Sequence, residues 1–154
     1  MKNLDSIDYR ILNLLQNDAK STIKEIAGQL GMTTTPVYER IRRMEEEGFI
    51  QRYVALVDKE KLDFHIIAFC NVSLKEHHRP LLEFFEKEAR KLPEVVECYH
   101  IAGTFDYLLK VIVKDMAAYQ DFMVNKLATL DNIGHVQSVF VMSEVKYSTS
   151  LELQ

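Results

Sequence analysis

Three threonines and three arginines stand close together in GMTTTPVYERIRRMEEEGFI, residues 31–50. A guanidinium presents a planar fork of donors that matches a phosphate or the edge of a guanine. A short hydroxyl reaches a phosphate oxygen or a base edge at close range. With Thr33 as N-cap, its hydroxyl is expected to satisfy first-turn amides. Thr34, Thr35 and Pro36 then form the first turn, where proline is tolerated because those amides lack an intrahelical acceptor. Val37, Ile41 and Met44 recur at i, i+4 and i+7 and line one face. Thr35, Tyr38, Glu39, Arg42 and Arg43 fall on the other face, with Arg40 on the flank. In that geometry Thr34 and Thr35 reach phosphate or a base edge, and Arg42 and Arg43 reach phosphates or guanines. Arg40 is placed to fix register on a phosphate. Tyr38 stacks on sugar or donates to phosphate. Glu39 accepts from cytosine or pairs with Arg43 at i, i+4. The competing reading is a solvated face of mixed charge, with Glu45, Glu46 and Glu47 just beyond it.

The surrounding elements position this helix. Leu4, Ile7, Ile11, Leu14 and Leu15 have helical spacing, with Asp5 as an N-cap. Thr22 and Glu25 have capping-box spacing before Ile23, Ile26, Ala27 and Leu30, and Gly31 ends that short helix. Three helices, the last two joined by a tight turn, make a helix-turn-helix, which offers its second helix to the DNA major groove. Residues 50–57, IQRYVALV, are rich in β-branched and aromatic residues and predict a strand, the wing of a winged helix-turn-helix. The polar segment 58–64, DKEKLDF, reads as a linker between a first domain, 1–57, and a second, 65–154.

The second domain has a different rhythm. Strands are predicted over 65–74, 95–103, 105–114 and 135–146, with helices over 80–92 and after Asp115. The order β-α-β-β-α-β is that of a ferredoxin-like sandwich, so the fold class is α+β.

Composition narrows the function classes. The chain has 154 residues, 47% of them hydrophobic, and a net charge of −4. That length suits two small domains with packed cores. Residues 1–57 balance eight basic against eight acidic residues, so the excess of negative charge sits in the second part. An overall basic field is absent, which favours a ligand-binding or oligomeric module whose helices are only a scaffold. A symmetric assembly answers part of this objection, because paired recognition helices bind cooperatively at adjacent half-sites. No apolar run approaches a membrane span, and the start lacks a signal-peptide pattern, so no membrane partner is expected and the default address is the cytoplasm. Cys70 and Cys98 lie far apart in apolar runs and read as reduced thiols. A small enzyme is the other rival. His77 and His78 are adjacent with no ligand set around them, and His100 with Asp106 completes no nucleophile, base and orienter. No metal, cofactor or catalytic residue is expected.

With these residues placed, the chain resembles the Lrp/AsnC (leucine-responsive, feast/famine) family of transcription regulators over nearly its whole length. LDSIDYRILNLLQNDAKSTIKEIA is similar to the family opening, and MTTTPVYERIRRMEEEGFIQRYVALVD to its recognition helix and strand. AGTFDYLLKV resembles the G-x-x-D-Y/F element of its C-terminal domain, and VFVMSEVKYS its closing strand. The resemblance implies a sequence-specific DNA-binding regulator with double-stranded DNA as partner. It implies a C-terminal domain that dimerises through its sheet, with further assembly commonly to an octamer, and a small effector, usually an amino acid. By that analogy Gly103, Thr104, Phe105, Asp106 and Tyr107 form the effector site, with Ser138 nearby. Backbone amides at Gly103 would hold a carboxylate and Asp106 an ammonium group; the alternative is a plain turn closed by an Asp106 hydrogen bond. Asp131, Asn132 and Ile133 stand where the family often has Pro-Gly-Val, and Ser138 where it often has Thr.

Overall fold

The computed structural model describes residues 3–153. These divide into two compact units, one of residues 3–56 with 146–153, the other of residues 57–145.

The first unit is helical. Helix α1, Ser6–Asn17, starts at Asp5, whose side chain accepts from the amides of Ile7 and Asp8 while Asp8 returns a bond to the Asp5 amide. Helix α2, Ile23–Leu30, opens with the predicted Thr22–Glu25 capping box and closes on Gly31 at φ 67°. That left-handed conformation costs glycine least. Helix α3, Thr34–Glu46, follows at once. Ile11, Ile26, Ala27, Val37, Ile41 and Met44 form the core, and the apolar stripes read from the sequence meet there.

The strand expected at 50–57 does not form a ladder among the described residues: residues 51–57 adopt no regular element and are exposed. Ile50 donates to the Met44 carbonyl and Tyr53 reaches Glu45, but no described strand lies alongside. High β-propensity describes fitness for a sheet surface, and it needs a partner edge to become a strand. Residues 58–64 fold into a 3-10 turn, Glu60–Leu62, capped by Asp58 and ended by Asp63 at φ 63°. The C-terminal segment expected with the second domain packs on α1 instead. Gln16 exchanges bonds with the backbone of Leu151, and Asn13 donates to the Leu153 carbonyl.

The second unit is the β-α-β-β-α-β sandwich. Its elements are β1 (Ile66–Leu74), α4 (Arg79–Ala89), β2 (Val95–His100), β3 (Tyr107–Val113), α5 (Met116–Asp121) and β4 (Ile133–Phe140). A π turn, Phe122–Lys126, and a 3-10 turn, Leu127–Thr129, continue α5. The sheet is antiparallel in the order β2-β3-β1-β4. Alternation is strict along β3, where Tyr107, Leu109, Val111 and Val113 are buried. They meet Ala68, Cys70 and Val72 of β1, Phe85 of α4, and Tyr119 and Phe122 from the second helical stretch. Strand β4 stops at Phe140 rather than 146. Its one neighbour among the described residues, β1, begins at Ile66, so pairing ends with Phe140 opposite Ala68 and a last bond from Val141 to Ile67. Both cysteines are free thiols, Cys70 buried and Cys98 half-buried.

Phe85 is fully buried with its ring 4.6 Å from Tyr107. Phe85→Ala is expected to cost about 3–5 kcal/mol of stability in this unit, by lost transfer energy and the cavity left behind. Chemical denaturation followed by far-UV circular dichroism measures it.

Candidate nucleic-acid interface and ligand turn

Helix α3 carries the predicted interface. Thr33, Thr34, Thr35, Tyr38, Glu39 and Arg42 are exposed, while Val37, Ile41 and Met44 are buried beneath them. Thr33 is the N-cap residue by backbone geometry, but its side chain makes no capping bond. The reason lies in the sequence: Thr34, Thr35 and Pro36 are the first three helical residues, so the third position has no N–H to give. Thr33 therefore keeps its hydroxyl for another partner, and the first-turn amides keep their donors.

The arginines divide. Arg42 lies on the exposed face, 63% exposed, and bonds Glu46 at 2.8 Å one turn along. Arg40 and Arg43 turn back to α1. Arg40 donates to Asp5 and Asp8, both at 2.7 Å, and Arg43 donates to the other oxygen of Asp8 at 2.6 Å. Arg43, expected on the outer face and paired there with Glu39, is instead bound by a carboxylate only 1% exposed. An ionised carboxylate out of water must be paired, and two guanidinium groups within reach of a flexible stem decide the rotamers.

The amide of Asp8 and then the Arg40 guanidinium hold the Asp5 carboxyl below the usual carboxylate range, against a smaller opposing effect of desolvation. Asp8 is the residue that reasoning from the arginines missed. Its signal was present: it interrupts the apolar stripe of α1 between Leu4 and Ile11, and an acid in such a stripe needs a cation.

In the second unit the predicted ligand residues are partly brought together. Gly103 sits at φ 145°, a backbone that side chains rarely adopt. The turn is closed by bonds from the Ile101 amide to the Asp106 carbonyl and from the Asp106 amide to the Val72 carbonyl. One oxygen of the Asp106 carboxylate accepts from the Leu74 amide at 2.7 Å, and the other meets His77 Nε2 at 3.0 Å. Burial pushes the Asp106 carboxyl up, but the Leu74 amide and His77 together outweigh it and leave it lowered. Phe105 stacks on His135 at 6.4 Å, and Thr104 is exposed. Asn132 takes the left-handed conformation at φ 72°, and its side chain bonds both the amide and the carbonyl of Glu76.

Two predicted ligand residues face elsewhere. Tyr107 is fully buried and its hydroxyl donates to Glu86 of α4 at 3.1 Å. Burial, and then Glu86, raise the Tyr107 hydroxyl above the ordinary range. It lines a 410 Å³ cavity with Glu86, Arg90, Cys98 and His100. Ser138, opposite Cys70 in the sheet, accepts from the Tyr119 hydroxyl and lies 3.7 Å from the Cys70 sulfur.

Comparison with known proteins places these two sites in context. A winged helix-turn-helix DNA-binding family matches residues 4–51, and the Lrp/AsnC ligand binding domain family matches residues 67–151. The leucine-responsive regulatory protein of Escherichia coli (strain K12) is 39% identical over 153 residues, covering 99% of this chain and 93% of that protein. Among the solved structures that match in fold are two that each cover 97% of both chains. One is a transcriptional regulator of Neisseria meningitidis in complex with L-Met, with TM-score 0.94 and 32% identity. The other is an AsnC family transcriptional regulator from Agrobacterium tumefaciens, with TM-score 0.92 and 38% identity. A DNA-binding helical unit and a ligand-binding sandwich in one chain define a ligand-responsive transcription regulator. The chain belongs to the Lrp/AsnC family.

Asp8→Ala is expected to destabilise the helical unit by about 3 kcal/mol, because Arg40 and Arg43 lose their shared acceptor. Arg42→Ala, on an exposed i, i+4 pair, is expected to change stability by less than about 0.5 kcal/mol. Urea denaturation of the two variants makes the comparison. The acid limb has a definite sign. Asp5 and Asp106 have lowered folded-state pKa values, so their stabilisation is present above the unfolded carboxylate value of about 3.9. It is lost as pH falls through the lower folded values. Melting temperatures measured from pH 5 down to pH 2 should fall less steeply for Asp106→Asn than for the parent.

Proposed function

We propose that the exposed face of α3 is the surface that enters the DNA major groove. Thr34, Thr35, Tyr38, Glu39 and Arg42 stand together there on a helix whose first turn has no side-chain cap, and this observation carries the reading. Thr33, Thr34, Thr35 and the open amides take phosphate at the helix N-terminus. Tyr38 contacts sugar or phosphate, Glu39 a cytosine, and Arg42 leaves Glu46 for a phosphate or guanine. Arg40 and Arg43 act mainly by holding α3 at its angle, and contact phosphate only through the parts of their guanidinium groups that stay exposed.

The effector is an α-amino acid, in keeping with the L-Met complex of the related regulator. Its carboxylate lies on the backbone amides around Gly103 and Thr104, its ammonium on Asp106, and Phe105 packs on its side chain. Tyr107 and Ser138 shape the site from beneath, through Glu86 and Tyr119. The protein is a cytoplasmic homodimer joined through the open face of its sheet, and dimers assemble further, toward an octamer. It acts by binding alone, without a cofactor or catalysis.

Arg42→Ala is expected to weaken duplex binding and to flatten the slope of log affinity against log salt by about 0.9 unit. An unchanged slope in fluorescence anisotropy would remove Arg42 from the interface. A saturating amino acid at a hundred times its Kd is expected to stabilise the second unit by about 2.7 kcal/mol. The ligand-induced rise in melting temperature should shrink in Asp106→Ala, and a full-sized rise in that variant would remove Asp106 from the ligand site.

A further inference from the structure

Each oxygen of the Asp106 carboxylate already has one hydrogen-bond partner. Its inner oxygen serves the Leu74 amide at 2.7 Å, a backbone bond that also fixes the end of β1. Its outer oxygen is taken by His77, a side chain 60% exposed on the loop between β1 and α4. That loop is anchored on both sides of His77. Before it, Lys75 donates to the Asn132 carbonyl, and the backbone of Glu76 is held at both its amide and its carbonyl by the Asn132 side chain. After it, the His78 carbonyl accepts the first amides of α4. Gly134 reinforces the base of the loop, since a Cβ there would meet the Ser73 carbonyl at 3.2 Å. The backbone is therefore fixed on both sides, while the His77 imidazole is exposed and bonded to Asp106 through one nitrogen.

We propose that His77 is a latch on the effector site: it occupies the Asp106 oxygen that an amino-acid ammonium group needs, and must swing out for the effector to bind. The proposal rests on the assignment of Asp106 to the amino-acid site. A carboxylate oxygen can accept a second bond, but the inner one is turned to the Leu74 amide at the end of β1, so the ammonium arrives at the outer oxygen and there meets the His77 ring. The competition depends on charge. Neutral His77 holds Asp106 by one hydrogen bond from Nε2–H. Protonated His77 adds an ion pair and places a positive charge where the ammonium must arrive.

The other charges around the latch are known. Glu76 and His78 face one another on the same loop at 3.9 Å. Arg79 at the start of α4 is bound to Glu83. His100 of β2 acts on Asp106 through space, and His135 of β4 lies on Phe105. Among these, His77 alone is hydrogen-bonded to Asp106, so its protonation is felt first at the ligand position. Closure of the latch lowers the apparent affinity by the fraction of open molecules, so a latch closed nine times in ten weakens binding about tenfold.

The test is isothermal titration calorimetry of the full-length protein with L-leucine and L-methionine at pH 7.5 and pH 5.5. The parent, His77→Ala and His77→Gln are compared. The parent is expected to bind about three- to tenfold more weakly at pH 5.5. His77→Ala should bind more tightly than the parent at both pH values and lose most of the pH response. His77→Gln, which can donate a hydrogen bond but not carry charge, should keep the weaker binding and lose the pH response. Binding by His77→Ala alone would also support the latch, as closed in the parent. Equal affinity and equal pH response in the parent and His77→Ala would overturn the latch while leaving the amino-acid site standing. Tighter binding by the parent than by His77→Ala would make His77 a ligand contact and overturn the latch. No binding by any of the three, with melting temperatures unchanged by the substitutions, would overturn both the latch and the amino-acid assignment beneath it.

Discussion

The helical unit depends on one buried carboxylate. Asp8 is 1% exposed, yet it carries a charge and receives bonds from the Asp5 amide, Arg40 and Arg43. Neither arginine can move away without leaving that charge short of a partner. The pair therefore ties α3 to the N-terminal turn of α1 at two points one turn apart. An apolar contact of the same size would stabilise the packing but would let the helices slide and rotate, because dispersion has no direction. A bidentate charged joint fixes the rotation of α3 about its own axis, and that rotation sets which residues look outward.

This joint changes the meaning of the charge pattern in the first unit. Three cations on α3 suggest a positive outer surface, but two of them are neutralised inward by Asp5 and Asp8. What remains on the outer face is Arg42, short polar side chains and the amides of an uncapped helix start. Such a surface attracts DNA weakly at long range and depends on close, directional contacts. It also explains how a unit with balanced charge can carry a DNA-binding helix. In the proposed homodimer, two-fold pairing would supply strength that the single unit lacks.

Local grammar was legible in the sequence, and non-local choices were not. The Asp5 N-cap, the Thr22–Glu25 capping box, the Gly31 stop, the apolar stripes of the helical unit and the β-α-β-β-α-β order follow from spacing alone, because each is settled within a few residues of chain. The errors share one origin. Residues 50–57 have the composition of a strand but no edge to join, and 141–146 outrun the length of β1. Thr33 has the identity of a cap, but Pro36 removes the amide it would serve. Arg43 sits at an outward position on a helical wheel, yet its long stem lets the head follow Asp8 rather than the direction of its Cβ. The C-terminal segment is polar and short, and only the Asn13 and Gln16 side chains of α1 reveal where it docks. In the ligand turn, the resemblance gathered Ser138 with Asp106. The sheet register bonds Ser138 to Tyr119 and Cys70, contacts that spacing could not show.

The two units solve a similar problem with opposite consequences. Each places one aspartate where it must accept from a backbone amide and from a basic side chain. Asp8 is sealed, and its arginines are always charged, so its bonds behave as fixed structure. The Asp106 side chain is 21% exposed and its partner is a histidine 60% exposed. Water can replace that histidine at little cost, and so, on the proposed reading, can a ligand that carries its own ammonium group. Burial and the choice of cation thus separate a joint from a receptor: arginine behind a dry wall makes the bond permanent, and histidine at an open edge makes it exchangeable. On the proposed reading a regulator needs both, since the helix that reads DNA must hold one orientation while the ligand turn must have two states to choose between.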